Sequence, residues 1–236
     1  MAIGFTLVFV DHSQHSKEAP RDDLSAVAAL DEPTRRRLYE HVARSTDPVG
    51  RDDAAQALGL TRQTAAFHLD RLADEGLLDV VYERRSGRTG PGAGRPAKLY
   101  RRSEREVGVS VPARQYEMAG QLLAEAVEES DSSGEPVRAV LYRKAAALGE
   151  RLGGEAMTGV VDMLERYGFE PRREGETVVL GNCPFHVLAR KHAETVCGMN
   201  LHLLRGALAT SGDTAFRALL APGPGRCCVV LEPASS

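Results

Sequence analysis

Hydrophobic residues recur at helical spacing on both sides of a glycine in the stretch 52–73. Small and apolar residues favour a helix over Asp52–Leu58, and Gly59 is placed to end it, because glycine adopts the left-handed conformation at low cost. Thr61 is a suitable N-cap for a second helix. Four residues of that helix share one face, which we expect to point inward: Ala65, Leu69, Leu72 and Ala73. The pattern predicts two helices joined by a tight turn.

Two strands and a basic loop follow these helices. Residues Leu77–Arg84 and Lys98–Arg101 have the alternation of a strand and its returning partner. Between them the chain carries no acidic residue from 84 to 102, and its glycines and prolines oppose regular structure. The basic residues of this stretch are Arg84, Arg85, Arg88, Arg95, Lys98, Arg101 and Arg102. The order of these elements predicts a winged helix-turn-helix: helix, turn, helix, strand, loop and strand.

The basic loop and the second helix together favour binding to double-stranded DNA. Arg88 and Arg95 are expected to neutralise phosphates or enter a minor groove, while the tip of the helix reads base edges in the major groove. The alternative is a solvated hairpin that follows an ordinary pair of helices. The basic loop alone, or the second helix alone, fits both interpretations. The two together at this spacing favour DNA binding.

The polar side of the second helix supplies the other candidate DNA contacts. Arg62 suits guanine and Gln63 suits adenine, or either side chain could bind phosphate. Phe67 would touch a thymine methyl group or pack against protein. His68 would contact a phosphate or pack at the end of the helix. The candidate DNA-binding residues are therefore Thr61, Arg62, Gln63, Thr64, Phe67, His68, Arg88 and Arg95.

These residues carry a resemblance to a known family. The run 60–72 (LTRQTAAFHLDRL) with Glu75-Gly76-Leu77-Leu78 resembles the recognition helix of arsenic-repressor-like (ArsR-type) winged-helix regulators. Gly94-Arg95-Pro96 followed by Leu99-Tyr100 resembles their wing. The resemblance implies a transcription regulator that binds a DNA operator.

Two short helices precede the helix-turn-helix, and one long helix follows the wing. We expect the first two over Asp23–Leu30 and Thr34–Ser45, with Asp31 as a possible cap of the second. The long helix is expected over Val111–Ser130. Its position directly after the wing favours a homodimerisation helix, because paired half-sites increase DNA affinity; a plain interdomain helix is the alternative.

The last third of the chain alternates helical and extended patterns. The expected elements are helices over Val137–Leu152 and Ala156–Tyr167, a hairpin over 169–180 with Gly175 in its turn, helix over Val187–Thr210 in two pieces around Cys197-Gly198, and a last strand over Arg226–Leu231. The predicted fold class is therefore α+β: an N-terminal winged helix-turn-helix, a long dimerisation helix, and a C-terminal α+β domain with a small antiparallel sheet.

Length and charge agree with more than one domain. A chain of 236 residues, 42% hydrophobic, suits two cores. We expect a tail over 1–20, the DNA-binding domain over 21–105, linker and dimerisation helix over 106–134, and a sensor domain over 135–236. The net charge is −3, but residues 21–105 hold 16 Lys and Arg against 14 Asp and Glu. No run is long enough to cross a bilayer, so we expect a cytoplasmic protein without a membrane partner.

Four cysteines, all in the last third, are the candidate sensor: Cys183, Cys197, Cys227 and Cys228. Clustered cysteines in a cytosolic protein more often bind metal or sense redox state than form structural disulfides, and soft thiolates select iron–sulfur clusters or zinc. The spacing fits neither a zinc ribbon nor a thioredoxin motif. The alternative is that each cysteine is buried as a small hydrophobic residue. His186 is a candidate fourth ligand or a hydrogen-bond donor beside the ligands.

A second resemblance bears on these cysteines. The motifs Asn182-Cys183-Pro184-Phe185-His186, Cys197-Gly198-Met199-Asn200 and Gly225-Arg226-Cys227-Cys228 are similar to the cluster-binding half of the repressors that control iron–sulfur-cluster assembly operons. The resemblance implies an iron–sulfur cluster as cofactor, with the cluster form binding DNA and repressing. Cys183 and Cys197 match the first two ligands, and either Cys227 or Cys228 matches the third.

The sequence thus predicts a DNA-binding regulator, expected to be a repressor, that depends on an iron–sulfur cluster. The alternative is a regulator of the same fold whose C-terminal domain is stabilised by zinc or senses a small molecule. An enzyme with thiol chemistry is disfavoured, because the chain shows no nucleophile–base–orienter arrangement, no phosphate loop and no carboxylate pair.

Overall fold

The computed structural model describes residues 23–83, 96–156 and 159–234. Contacts between residues divide the chain into two compact units, Met1–Val109 and Ser110–Ser236. Each has its own hydrophobic core, so each is described by itself.

The first unit combines short helices with a three-stranded antiparallel sheet. Its strands lie in the order β1-β3-β2, and the β2–β3 ladder runs from Leu78 opposite Arg102 to Glu83 opposite Ala97. The elements are α1 (Asp23–Ala29), α2 (Pro33–Arg44), β1 (Val49–Gly50), α3 (Arg51–Leu58), α4 (Arg62–Asp74), β2 (Leu78–Glu83) and β3 (Ala97–Arg102). This is the fold predicted for a helix-turn-helix followed by a wing hairpin.

Local signals explain the turn between α3 and α4. Gly59 ends α3 in the left-handed conformation, with φ of 68°. Thr61 caps α4 by accepting a hydrogen bond from the Thr64 backbone N–H at 3.1 Å. The predicted cap of α2 was wrong by one residue: Glu32, not Asp31, precedes the first helical residue and accepts from the N–H groups of Thr34 and Arg35.

The second unit packs helices against a four-stranded antiparallel sheet of order β4-β5-β7-β6. Its core is formed by residues of α5, α6, α7 and α9 together with the inner strands. The elements are α5 (Tyr116–Ser133), α6 (Val137–Gly154), α7 (Val160–Arg166), β4 (Pro171–Glu174), β5 (Thr177–Leu180), α8 (His186–Lys191), α9 (Ala193–Thr210), β6 (Phe216–Leu220) and β7 (Val229–Pro233). The predicted hairpin with Gly175 in its turn is confirmed as β4 and β5.

Glycines set the distance between α6 and α9. A Cβ added at Gly149 would lie 1.9 Å from the Leu203 carbonyl oxygen, and one at Gly206 would lie 2.0 Å from the Ala146 carbonyl oxygen. Both values are far below a van der Waals contact, so the two backbones touch in a way that only glycine permits. This packing fixes α9, the helix that carries Cys197.

Several predicted boundaries in the second unit were wrong. The long helix begins at Tyr116, because residues 113–115 bond to another part of the unit instead of entering a helix. The helix after the hairpin is divided at His192, not at Cys197-Gly198, which lie inside α9. Helix α7 begins at Val160 rather than Ala156.

Two strands were not predicted, and one was placed too early. Strand β1 has only two residues, too few for a sequence pattern. Strand β6 is an edge strand in which Ala218 alone is buried, so its alternation is weak. Strand β7 starts at Val229, which leaves Cys227 and Cys228 just before the strand rather than in it.

Candidate nucleic-acid interface and thiol cluster

Helix α4 presents a polar face and buries an apolar one, as its sequence predicted. Ala65, Leu69 and Leu72 are fully buried. Arg62 and Gln63 are exposed, and Phe67 is 64% exposed despite its apolar ring. The face therefore offers charge, an amide and a ring to a partner.

Three candidate contacts of α4 already have partners within the unit. Arg62 Nε lies 2.8 Å from Asp52 Oδ1, in a pair whose side chains are both mostly exposed. Such a pair contributes little, so a phosphate or base can replace Asp52 at low cost. Thr61 and Thr64 share a 2.8 Å hydrogen bond between their hydroxyl groups, which belongs to the helix cap.

The His68 side chain is mostly buried. It is only 13% exposed, and Nδ1 lies 3.6 Å from Glu32 Oε2, next to the N-terminus of α2. Its role as a phosphate contact or a packing residue stays a prediction.

Asp70 fastens α4 to the wing strand β3. Its Oδ1 accepts hydrogen bonds from Lys98 Nζ at 2.5 Å and from the Tyr100 hydroxyl at 2.6 Å. Burial raises the pKa of Asp70, but the hydrogen bonds from Lys98 and Tyr100 outweigh burial and lower it overall. Sequence reasoning did not find this connection, because its members are some 30 residues apart.

The wing itself is described only at its base. Arg88 and Arg95, the predicted minor-groove or phosphate contacts, lie outside the described residues, as does the expected tail at 1–20. A groove of about 480 Å³ opens beside the base, lined by Arg51, Arg62, Lys98 and Tyr82 among others. Tyr82 is largely exposed, and only its outward position in the β2 alternation could have marked it.

Three separate stretches of the second unit bring the four cysteines together. Cys183 follows β5, Cys197 lies in the first turns of α9, and Cys227 and Cys228 directly precede β7. The Cys227 N–H donates to the Leu180 carbonyl at 2.8 Å, which joins the start of β7 to the end of β5. Cys183 and Cys227 are buried, while Cys197 and Cys228 are half-buried. We call these four residues the thiol cluster.

Asn200 adds a buried polar contact to the thiol cluster. Its Nδ2 donates to Cys227 Sγ at 3.3 Å, and its Oδ1 is buried without a hydrogen-bond partner. Because Asn200 follows Cys197 by three residues in α9, both side chains lie on the same face of the helix. An N–H group directed at sulfur favours the thiolate form of a cysteine. The sequence places Asn200 in the motif Cys197-Gly198-Met199-Asn200 but does not indicate this contact, because Cys227 is distant in the chain.

The thiols also contact one another. Cys183 lies close enough to Cys227, Cys227 to Cys228, and Cys228 to Cys197 for each to shift the pKa of a neighbour. The hydrogen bond to Cys227 and burial raise the pKa of Cys183 far above its ordinary value. Contact with Cys183 lowers the pKa of Cys227, but the bond to Cys228 and burial outweigh it and raise that pKa to about 12. Burial raises the pKa of Cys197. These shifts favour the neutral thiol form of Cys183, Cys197 and Cys227.

This group of neighbouring thiols differs from a finished coordination shell. In the ranges that the structure describes, no group of three or more His, Cys, Asp or Glu side chains is arranged to hold a metal ion. A soft metal would have to displace the thiol protons, after which the same sulfur atoms could turn toward a shared centre.

Two histidines of the second unit, His186 and His202, have other contacts. His186 is exposed, and its backbone N–H donates to the Cys183 carbonyl at 3.0 Å. Its role as a fourth ligand stays a prediction. His202 instead stacks on the Tyr142 ring, with centroids 4.7 Å apart.

A family model described as a helix-turn-helix domain matches residues 30–81, from the end of the first helical stretch into β2. No curated protein and no solved structure matches the chain. Within the described ranges, no helix is long and apolar enough to cross a membrane. The helix-turn-helix domain indicates a DNA-binding transcriptional regulator, and its exposed α4 is the element that would meet DNA.

Proposed function

We propose that this protein is a homodimeric transcriptional repressor whose operator binding depends on an iron–sulfur cluster held by the thiol cluster. The observation that carries the proposal is the convergence of Cys183, Cys197 and Cys227 from three distant stretches of one unit. Thiols gathered at one place are the donors that iron–sulfur clusters and zinc require.

The chemistry of the donor atoms, rather than their present arrangement, supports such a group. When bound, a cluster supplies iron charges that hold the cysteines as thiolates and an inorganic centre that responds to oxidants. Cys183 and Cys197 would be two of its ligands. Cys227 is favoured over Cys228 as the third, because Cys227 is 1% exposed and accepts the Asn200 N–H. His186 or Cys228 would complete the set.

On the DNA side, α4 would enter the major groove. Gln63 and Arg62 suit base edges or phosphate, and Phe67 suits a thymine methyl group. Arg88 and Arg95 of the wing are proposed to reach phosphate or the minor groove, as their sequence context predicts. The Asp70 bonds to Lys98 and Tyr100 would keep helix and wing in a fixed register during binding.

The homodimer would form through α5. Ala119, Leu122 and Ala126 bury one side of this helix in the core. The opposite side exposes Tyr116 and Val127, with Gly120 and Ala124 between them. Two copies of such a face would place two α4 helices on paired half-sites. Analytical ultracentrifugation of the purified protein tests this part: a monomer at micromolar concentration would contradict it.

Anaerobic purification tests the cofactor. We expect a coloured protein with a visible absorption band, and iron and sulfide in matching amounts. Cys183→Ser, Cys197→Ser and Cys227→Ser should abolish the band, while Cys228→Ser should retain it if Cys228 is not a ligand. A colourless protein with stoichiometric zinc would replace the cluster by the zinc alternative. Protein free of metal with unaltered DNA binding would overturn both.

A second experiment measures DNA binding. Its duplexes are selected from a random-sequence pool for binding to the cluster-loaded protein. Fluorescence anisotropy then gives Kd for the loaded protein and for protein stripped with a chelator. We expect the loaded form to bind more tightly, by about five- to 150-fold, the usual range of coupling between two sites. Equal Kd values would separate DNA binding from the thiol cluster.

A further inference from the structure

The stretch that enters α5 is bonded to the turn that carries Cys183. We call residues 113–116 the connector and residues 182–187 the cysteine turn. The Gln115 N–H donates to the Pro184 carbonyl at 3.1 Å, and Asn182 Nδ2 donates to the Ala113 carbonyl at 3.1 Å. These bonds explain why the helix starts later than its sequence predicted.

Arg114 strengthens this attachment from the connector side. One terminal nitrogen of its guanidinium group donates to Asn182 Oδ1 at 2.5 Å and lies 3.3 Å from the Cys183 carbonyl oxygen. Asn182 is buried, and its Nδ2 also donates to the Gly168 carbonyl at 2.6 Å. Both ends of the Asn182 amide therefore have partners, and a displacement of the cysteine turn that carries Asn182 away would break a partly buried charge-assisted bond.

The connector also packs against Gly168. A Cβ added at Gly168 would lie 2.5 Å from the Ala113 Cβ, so only glycine leaves space for the Ala113 side chain there. The bonds and this contact join the connector to the region around Cys183.

Residues 105–108, which come before the unit boundary, are bonded to other residues of the first unit. Arg105 donates to the Glu75 carbonyl at 3.0 Å and to Asp23 Oδ1 at 2.5 Å, and the Gly108 N–H lies 3.4 Å from Asp23 Oδ2. These contacts reach α1 and the C-terminal end of α4. Only residues 109–112 separate this anchor from the connector along the chain.

We propose that Arg114 and Asn182 are positioning residues that transmit the state of Cys183 to the DNA-binding unit through this short connection. The inference rests on the proposed function, since it presumes that Cys183 changes state. It adds the route: a cysteine turn held by a metal keeps the connector in one place, and release of Cys183 frees the connector to move. Such coupling requires the connector to have two arrangements, one for each state of Cys183.

The test compares the ratio of Kd for cluster-free and cluster-loaded protein between variants, on the duplex selected above. Arg114→Ala should retain the absorption band but reduce the ratio to about one, from the five- to 150-fold range expected of the natural protein. Arg217→Ala is the matched control, because this arginine of β6 forms an exposed pair with Glu232 of β7 and its loss should leave the ratio unchanged. A merely structural Arg114 would lower stability and leave the ratio intact, which would overturn the proposal.

A second measurement covers the case in which Arg114→Ala does not fold. Hydrogen exchange of the natural protein reports the Gln115 amide, whose bond to Pro184 closes the attachment. We expect this amide to exchange at least tenfold faster in the cluster-free form, whereas equal protection in both forms would overturn the proposal. The two failures are distinguishable. Absence of iron, or a Kd ratio of one in the natural protein, would contradict the proposed function. A Kd ratio retained in Arg114→Ala would contradict only the transmission route.

Discussion

The two units place their candidate functional groups in opposite environments. In the first unit, the core leucines of α4 are fully buried while Phe67 on the same helix is 64% exposed. In the second, Cys227 is 1% exposed and belongs to the hydrophobic core itself. The core leucines that hold α4 in the first unit are thus separate from Phe67, which would bind. In the second unit the two sets overlap.

The difference follows from the size of the partner. DNA is a large polyanion that meets a protein from outside, so its contacts must lie on a surface. A metal centre is small and gains from a shielded environment in which hydrogen bonds to sulfur are strong. We therefore expect substitutions in the first unit to affect stability or binding, but substitutions near the thiol cluster to affect both.

The largest effect on stability is expected where α6 meets α9. A Cβ at Gly153 would lie 2.2 Å from the Ala207 carbonyl oxygen and 2.6 Å from Thr210 Oγ1. Gly153→Ala should reduce the free energy of unfolding by about 3 kcal/mol, the upper part of the range for overpacking a core. Urea denaturation followed by circular dichroism gives the value.

Gly154 provides the matched control for that substitution. It is the next residue of the same helix, and an added Cβ would meet nothing within 4 Å. Gly154→Ala should be neutral or stabilising by up to about 1 kcal/mol, since alanine favours a helix more than glycine does. Similar losses in both variants would show that helix α6 does not depend on close contact with α9.

Local signals account for what the sequence predicted well. Gly59 and Thr61 specify the turn before α4 through their own backbone and side-chain preferences, and Gly175 does the same for the β4–β5 hairpin. Such features depend on residues within a few positions of each other. They could therefore be located before any tertiary structure was known.

The features that sequence reasoning missed depend on residues far apart in the chain. The Asn200 bond to Cys227 spans 27 residues, and the Arg114 bond to Asn182 spans 68. The convergence of the cysteines was expected from the ends of predicted strands and from a resemblance, because spacing alone does not fix which strands and helices meet. Alternation along a strand cannot distinguish Cys227 from Cys228, since both precede β7.

An intermediate effect is expected at the cap of α2, where stability depends on pH. Burial raises the pKa of Glu32, but hydrogen bonds from Thr34 and Arg35 outweigh it and lower the pKa to about 2. Because the folded pKa lies below the ordinary value of 4.5, the carboxylate stabilises the fold above pH 4.5, and that contribution is lost as the pH falls toward 2. Glu32→Gln should cost about 1 kcal/mol at pH 7, as for other N-caps.

Urea denaturation at several pH values checks this prediction. The stabilities of the natural protein and of Glu32→Gln should converge between pH 4.5 and 2, because only the natural protein loses a charge there. Glu40→Gln is a suitable control, since Glu40 forms an exposed pair with Arg44 within the same helix. A constant difference between the two curves at all pH values would remove the charge of Glu32 from the cap.

The smallest effect on stability, and the sharpest test of the comparison, is expected at Phe67. Since its ring is mostly exposed, Phe67→Ala should change the free energy of unfolding by no more than about 0.5 kcal/mol. The same substitution should weaken DNA binding by about 1–3 kcal/mol if the ring contacts a base. Leu220→Ala is the control: Leu220 is also exposed, at 50%, but lies on β6 of the second unit and should change neither quantity. Loss of stability in Phe67→Ala without loss of DNA affinity would mean that the first unit does not separate folding from binding, and the contrast between the units would fail.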